Sequence, residues 1–185
     1  MTAADPKAEY AALVRGAATG DRDAMERLLM RAQEVAYRFS LLVCGHPEDA
    51  EDVMQDALLK TYEHVSRIAE PEAFRTWLYS TVRNACLMKR RRRVGEPARF
   101  DPVESTREAD PATPVDQQLV QRWMDGRLRA ALNRLPPAQR MVVVMREMEG
   151  LSTKDVAAVT GLTEANVKQR LHRARLALRR ELEGS

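Results

Sequence analysis

The stretch from Leu151 to Leu178, LSTKDVAAVTGLTEANVKQRLHRARLAL, constrains the fold most, because it carries two short helical patterns separated by one glycine. Ser152 is placed to cap a first helix, with Asp155 three residues on. At that spacing hydroxyl and carboxylate satisfy backbone N–H groups left free at a helix start. Gly161 tolerates the left-handed conformation that ends a helix, and Thr163 follows as the N-cap of a second. In that second helix Val167, Leu171, Ala174 and Leu178 recur at spacings of four, three and four, so they share one inward face. This is the pattern of a helix-turn-helix.

Opposite the inward stripe, at about 100° per residue, fall Ala165, Gln169, His172 and Arg173, with Lys168, Arg170 and Arg175 on the flanks. Between Ala165 and Arg180 the chain has six basic residues and no acidic one. Glu164 and Asn166 stand in the first turn, where a recognition helix meets base edges. Charge alone would equally suit a solvated surface helix. The two caps, the glycine turn and the apolar stripe together favour a helix offered to duplex DNA.

The remainder of the chain reads as helix. β-Branched residues sit at helix spacing and not in alternating runs, so an all-α protein is expected. With 185 residues, 44% of them hydrophobic and 31% charged, the chain has room for one domain or two small ones. No apolar run approaches the roughly 18 residues of a membrane span, and the start MTAADPKAEY lacks signal-peptide features, so a cytoplasmic protein without membrane contact is expected. Cys44 and Cys86 lie far apart in apolar surroundings and are expected to be reduced, buried and small. Cys44 and His46 lack a second ligand pair, so neither a structural zinc nor any other metal or cofactor is expected.

In chain order, a first helix is expected from Pro6 to about Thr19, broken and restarted at Gly20-Asp21, and a second from Arg22 to Cys44 with Met25, Leu28, Leu29, Ala32, Val35, Ala36, Phe39, Leu42 and Val43 on its apolar face. Pro47 opens a third, whose apolar side ends at Tyr62. Its start holds Glu48, Asp49, Glu51, Asp52 and Asp56. The helix dipole accounts for carboxylates in the first turn but not for Asp56. Asp49, Asp52 and Asp56, at spacings of three and four, form an acidic stripe suited to a basic partner. Val65 to Glu70 reads as a loop. Pro71 starts a fourth helix with Phe74, Trp77, Leu78, Val82 and Met88 interleaved with Arg75, Arg83 and Asn84, ending in five cations from Lys89 to Arg93. Aromatics beside cations fit single-stranded nucleic acid, and fit equally a core face with a solvated end; one ring inside and one outside satisfies both. Val94 to Asp116 is proline-rich and acidic without apolar periodicity, an extended linker. A helix from Gln117 to Leu135 follows, stopped by Pro136-Pro137, and another from Ala138 to Met148.

Three stretches, DAEDVMQDALLKTY, FRTWLYSTVRN and the run from Leu135 to Leu178, together resemble bacterial RNA polymerase sigma factors of the extracytoplasmic-function (ECF) type. The resemblance implies a region 2-like helical bundle at residues 1–95, a flexible linker at 96–116 and a region 4-like helix-turn-helix domain at 117–185. It implies that Asp49, Glu51, Asp52, Gln55 and Asp56 bind the β′ clamp helices of core polymerase, whose β subunit is a further partner. Phe74, Arg75, Trp77, Arg83 and Asn84 would open the −10 element and hold its single strand. Thr163, Glu164, Ala165, Asn166, Lys168, Gln169, Arg170, His172, Arg173 and Arg175 would read the −35 element of promoter DNA. A separate anti-sigma protein is implied as inhibitor. Leu58, Tyr62 and Met88 depart from the family's usual aromatic, tryptophan and aspartate. No nucleophile and base stand in a catalytic context, so binding and not bond making is expected. The runner-up is a helix-turn-helix regulator of the response-regulator type, which would need an α/β receiver in residues 1–93.

Overall fold

The computed structural model describes residues 5–44, 47–92 and 126–183, the side chains of residues 90–92 excepted. Every regular element among them is helical, and the chain divides into two compact units, Met1–Arg90 and Arg91–Ser185.

In the first unit α1 spans Pro6–Ala18, α2 Arg22–Cys44, α3 Pro47–His64 and α4 Phe74–Arg92. Local chemistry sets the starts. Asp5 accepts from the Lys7 N–H (3.0 Å) ahead of Pro6, and Asp21 accepts from the N–H groups of Asp23 and Ala24 (3.0 and 3.1 Å) to start α2. α2 is the central element, with Leu28, Ala32, Ala36 and Phe39 completely buried at helix spacing. It packs along α1 and α3. Around it lie Leu13 and Val14 of α1, Ala50, Val53 and Ala57 of α3, and Phe74, Leu78, Tyr79 and Val82 of α4. Each large apolar side chain so buried contributes roughly 1.5–3 kcal/mol. The rings of Phe39 and Tyr79 meet edge to face at 5.0 Å, joining α2 to α4, and Tyr10 stacks at 5.6 Å on Phe74, joining α1 to α4. Where α1 crosses α2 the backbones approach closely: a Cβ on Gly16 would lie 2.8 Å from that of Ala24.

The segment expected to be a loop, Val65 to Glu70, begins with a 3₁₀ turn at Val65–Arg67, and a second at Pro71–Ala73 leads into α4. Arg15 reaches back from α1 to Glu72 in that second turn (2.6 Å). The backbone N–H of Glu72 and then the Arg15 guanidinium hold this carboxyl below its usual range. Such a depressed group favours the fold above the ordinary carboxylate range and loses that contribution as pH falls, weakly here because the pair is solvated.

The two cysteines correct the sequence reading. Cys44 and Cys86 are joined by a disulfide, with Cα atoms 4.9 Å apart, instead of being separate reduced thiols. Their separation of 42 residues hid the pairing, which arises because packing brings the last residue of α2 beside α4.

In the second unit α5 spans Gly126–Arg134, α6 Pro137–Val143, α7 Thr153–Thr160 and α8 Glu164–Glu183. Pro136 and Pro137 do more than stop α5: Pro136 is the N-cap of α6 and Pro137 its first residue, where a missing N–H costs nothing. The helix expected to run to Met148 changes to a π-turn at Val144–Met148. Val142, Val143, Val144 and Met145 are buried across this change. Arg140, 3% exposed, is a buried cation the sequence reading did not single out. It donates to the carbonyl oxygens of Asn133 (2.8 Å) and Leu135 (3.2 Å), closing the open carbonyl end of α5 with its fork.

Arg140→Ala is expected to destabilise the second unit by about 2–4 kcal/mol, because charged hydrogen bonds to otherwise unsatisfied carbonyls are lost. Denaturant unfolding of the full chain, with hydrogen exchange to assign the loss to residues 126–183, checks this; a change below about 1 kcal/mol would show the fork to be dispensable.

Candidate nucleic-acid and partner interfaces

The second unit builds its interface from the turn outward. Ser152 Oγ accepts from the Asp155 N–H (3.0 Å), so the hydroxyl caps α7 as its sequence suggests, whereas the Asp155 carboxylate accepts from that hydroxyl (2.6 Å) in place of the expected backbone N–H. Gly161, at φ 74°, ends it in the left-handed region. Thr163 Oγ1 then accepts from the Asn166 N–H (3.2 Å) and starts α8. Val167, Leu171 and Ala174 are buried, and Leu178 is partly so. Consequently Glu164, Ala165, Asn166, Lys168, Gln169, His172 and Arg173 are exposed, with Arg170 half-buried on the flank. Arg175, although exposed, is held by Glu147 of the π-turn at 2.6 Å. It braces α8 within its own unit, a role the sequence pattern did not disclose.

On α3 the acidic stripe separates into two parts. Asp49 is 8% exposed, and Lys89 of α4 lies 3.8 Å from it and 2.6 Å from Asp52. Asp49 is therefore not part of an open stripe, because packing of α4 covers the first turn of α3 and supplies a cation to it. Gln55 and Asp56 are exposed, and Glu51 is half-buried. Leu59 and Tyr62 continue the outer face, 57% and 62% exposed. Tyr62 thus points away from the apolar side the sequence assigned to it, since Val53, Ala57 and Thr61 form the inner stripe. Continuing the spacing from Asp52 through Asp56 would have placed Leu59 and Tyr62 outside.

On α4 the two aromatics part company. Phe74 is completely buried against Tyr10, so its ring is a core element and does not reach a base. Trp77, 5.7 Å from Phe74 between ring centroids, is half-buried. The Arg75 guanidinium lies 6.0 Å from the Tyr10 ring centroid, at the outer limit of a cation–π contact. Asn84 is exposed, and its Oδ1 accepts from Arg83 at 3.2 Å. No group of His, Cys, Asp and Glu side chains among the described residues is arranged to hold a metal ion. No described helix is long and apolar enough to cross a membrane.

Comparison with known proteins agrees with this division. The family described as Sigma-70 region 2 matches residues 24–95, and Sigma-70, region 4 matches residues 125–178. The chain is similar to the ECF RNA polymerase sigma factor SigM of Mycobacterium tuberculosis, 34% identical over 172 residues covering 93% of this chain and 84% of that protein. It is 33% identical to SigL of the same organism, over 93% of this chain and 96% of the relative. Among solved structures, CnrH in complex with the cytosolic domain of CnrY superposes with a TM-score of 0.63 at 26% identity, covering 96% of this chain and 99% of that one. The sigma factor RpoE of Bartonella quintana shares the fold, with a TM-score of 0.65 at 23% identity over 85% of this chain and 96% of that one.

The burial difference on α4 has a measurable consequence. Phe74→Ala is expected to cost about 3–5 kcal/mol by leaving a cavity beside Tyr10, and Trp77→Ala clearly less. Equal destabilisation in denaturant titrations of the two variants would mean that both rings are core residues.

Proposed function

Because the chain belongs to the ECF RNA polymerase sigma factors, which direct promoter-specific transcription initiation, we propose a division of that work among its surfaces. Residues 1–95 bind core polymerase and act on the −10 element, residues 96–116 are the tether, and residues 117–185 read the −35 element. The observation that carries the reading is the outer face of α8. Lys168, Gln169, His172 and Arg173 are all exposed, and none has an ion-pair partner among the described residues. Gln169 and Arg173 suit base edges, through the bidentate patterns of adenine and guanine, while Lys168 and Arg170 suit phosphates. Thr163, Glu164, Ala165 and Asn166 begin α8, where a recognition helix meets base edges, and His172 stands further along the same exposed face. Arg175 reaches a phosphate only by leaving Glu147.

On the first unit the polymerase-binding surface is Glu51, Asp52, Gln55 and Asp56, extended by Leu59 and Tyr62. An acidic rim beside exposed apolar side chains fits a basic helical partner, with the charges acting chiefly on association rate. Trp77, Arg83 and Asn84 are the groups placed to meet unpaired bases, with Arg75 as support, Phe74 holding the helix from inside and Asp49 anchoring Lys89. Such a factor makes no bond itself: polymerase supplies the chemistry, in the cytoplasm where it meets DNA. Control falls to a separate inhibitory protein; the structure of CnrH in complex with the cytosolic domain of CnrY supports a bound protein partner, and no more than that. A response-regulator reading is set aside, because residues 24–95 match sigma region 2 and the described part of that unit contains no strand.

Two measurements test the proposal. In fluorescence anisotropy with matched and scrambled −35 duplexes, Gln169→Ala and Arg173→Ala are each expected to cost about 1–3 kcal/mol on the matched site, while Lys168→Ala weakens both duplexes alike and lowers the salt slope by about 1. An unchanged matched-to-scrambled ratio in the first two variants would remove them from base reading. Asp52→Lys with Asp56→Lys is expected to weaken capture of purified core polymerase, most at low salt. Undiminished capture across a salt series would leave the stripe a helix-capping feature.

A further inference from the structure

We propose that Cys44 and Cys86 form a thiol–disulfide switch that sets how strongly the first unit engages core polymerase; the inference rests on the reading of α3 as the polymerase-binding face. A transcription initiation factor works where polymerase and DNA are, in a compartment whose thiols keep most cysteines reduced. A disulfide there is transient and regulatory more often than structural. The two residues lie at the Cα separation a disulfide requires without backbone rearrangement. They also differ in access: Cys86 is 2% exposed, whereas Cys44 is only partly buried.

Access makes Cys44 the sulfur through which exchange proceeds. A low-molecular-weight thiolate attacks Cys44 Sγ, forming a mixed disulfide as the Cys44–Cys86 bond breaks and its electron pair leaves on Cys86 Sγ, which takes up a proton. A second thiolate attacks the small-molecule sulfur of that mixed disulfide, releasing Cys44 as its thiolate and leaving one small disulfide as product. The protein is reduced by two electrons, and two small thiols are oxidised. Oxidation runs the same steps backwards with the small disulfide as oxidant.

The consequence follows from what stands beside the pair. Cys44 ends α2, three residues before Pro47 opens α3, and Cys86 lies one helical turn before Lys89. Lys89 is the cation that pairs with Asp52 and approaches Asp49 on α3. In the oxidised form a covalent bond ties α4 to the end of α2, keeping Lys89 on Asp52, which would otherwise face polymerase. In the reduced form the covalent tether is gone and Lys89 is kept there by its pairs with Asp52 and Asp49 and by the packing of its helix; the Asp52 pair is partly solvated, and such pairs are weak. Oxidation therefore masks part of the stripe, and reduction exposes it.

The experiment uses the full chain, equilibrated with a reduced or an oxidised low-molecular-weight thiol such as glutathione. Alkylation and intact mass are expected to count two free thiols in the reduced monomer and none in the oxidised one. The oxidised form should unfold at a temperature on the order of 10 °C higher, because the bond closes a long loop, and should bind purified core polymerase about two- to five-fold more weakly. Cys44→Ser, which leaves the buried Cys86 in place, should lose all sensitivity to the oxidant and bind as the reduced protein does. Lys89→Ala should still form the disulfide but lose the difference in polymerase affinity. Two free thiols persisting in the oxidised mixture, or equal polymerase affinity of the two wild-type forms, would overturn the switch. Failure of both forms to bind polymerase would instead overturn the assignment of α3, which the thiol count does not depend on.

Discussion

Burial of Val167, Leu171 and Ala174 fixes the direction of every other side chain on α8. A helix can turn only one stripe inward, and once that stripe is held the positions proposed to read bases and to meet phosphates follow from the 3.6-residue period. The stripe is held in turn by what precedes it: Gly161 aims α8 away from α7, Thr163 starts it, and Arg175 is braced on the π-turn. The π-turn carries Glu147 and rests on the buried pair Val144 and Met145. The outer surface of α8 is thus set by a chain of local choices that reaches back to the carbonyl end of α5, where Arg140 sits.

Much of the charge in this protein is arranged in pairs that join the elements it positions. Arg15 with Glu72, Arg31 with Glu9 and Lys89 with Asp52 each join different segments of the first unit. These are partly solvated contacts and individually weak, so their value lies in orientation more than in stability. Asp56 on α3 and Arg173 on α8 are exposed by contrast, and each lies on the face where its unit has least to gain from internal packing.

The features legible in the sequence are those set by neighbours along the chain. Ser152 with Asp155, Gly161 and Thr163 announce the turn because caps act over three residues, and the inner face of α2 is visible because Leu28, Ala32, Ala36 and Phe39 keep helical spacing. What stayed hidden depends on segments meeting from far apart. Nothing near Lys89 signals Asp52, 37 residues away, and nothing near Cys44 signals Cys86. Phe74 and Trp77 carry the same local pattern, and packing from distant segments, Tyr10 of α1 among them, encloses the first ring and not the second. Arg140 was concealed differently, since an arginine in a helix reads as solvated until the carbonyls of Asn133 and Leu135 are seen to converge on it.

The close crossing of α1 and α2 bears on which sequences this architecture can drift through. Alanine is ordinarily the more favourable residue in the middle of a helix, by about 1 kcal/mol over glycine. At position 16 that preference is reversed, because an added methyl would meet the methyl of Ala24 at 2.8 Å. Positions 16 and 24 are therefore bound into one unit of heredity: neither can grow unless the other has already shrunk, and Ala24 has nothing left to give but its own methyl. A lineage can exchange Met30 on the outer surface by itself, whereas this crossing changes only by a paired step.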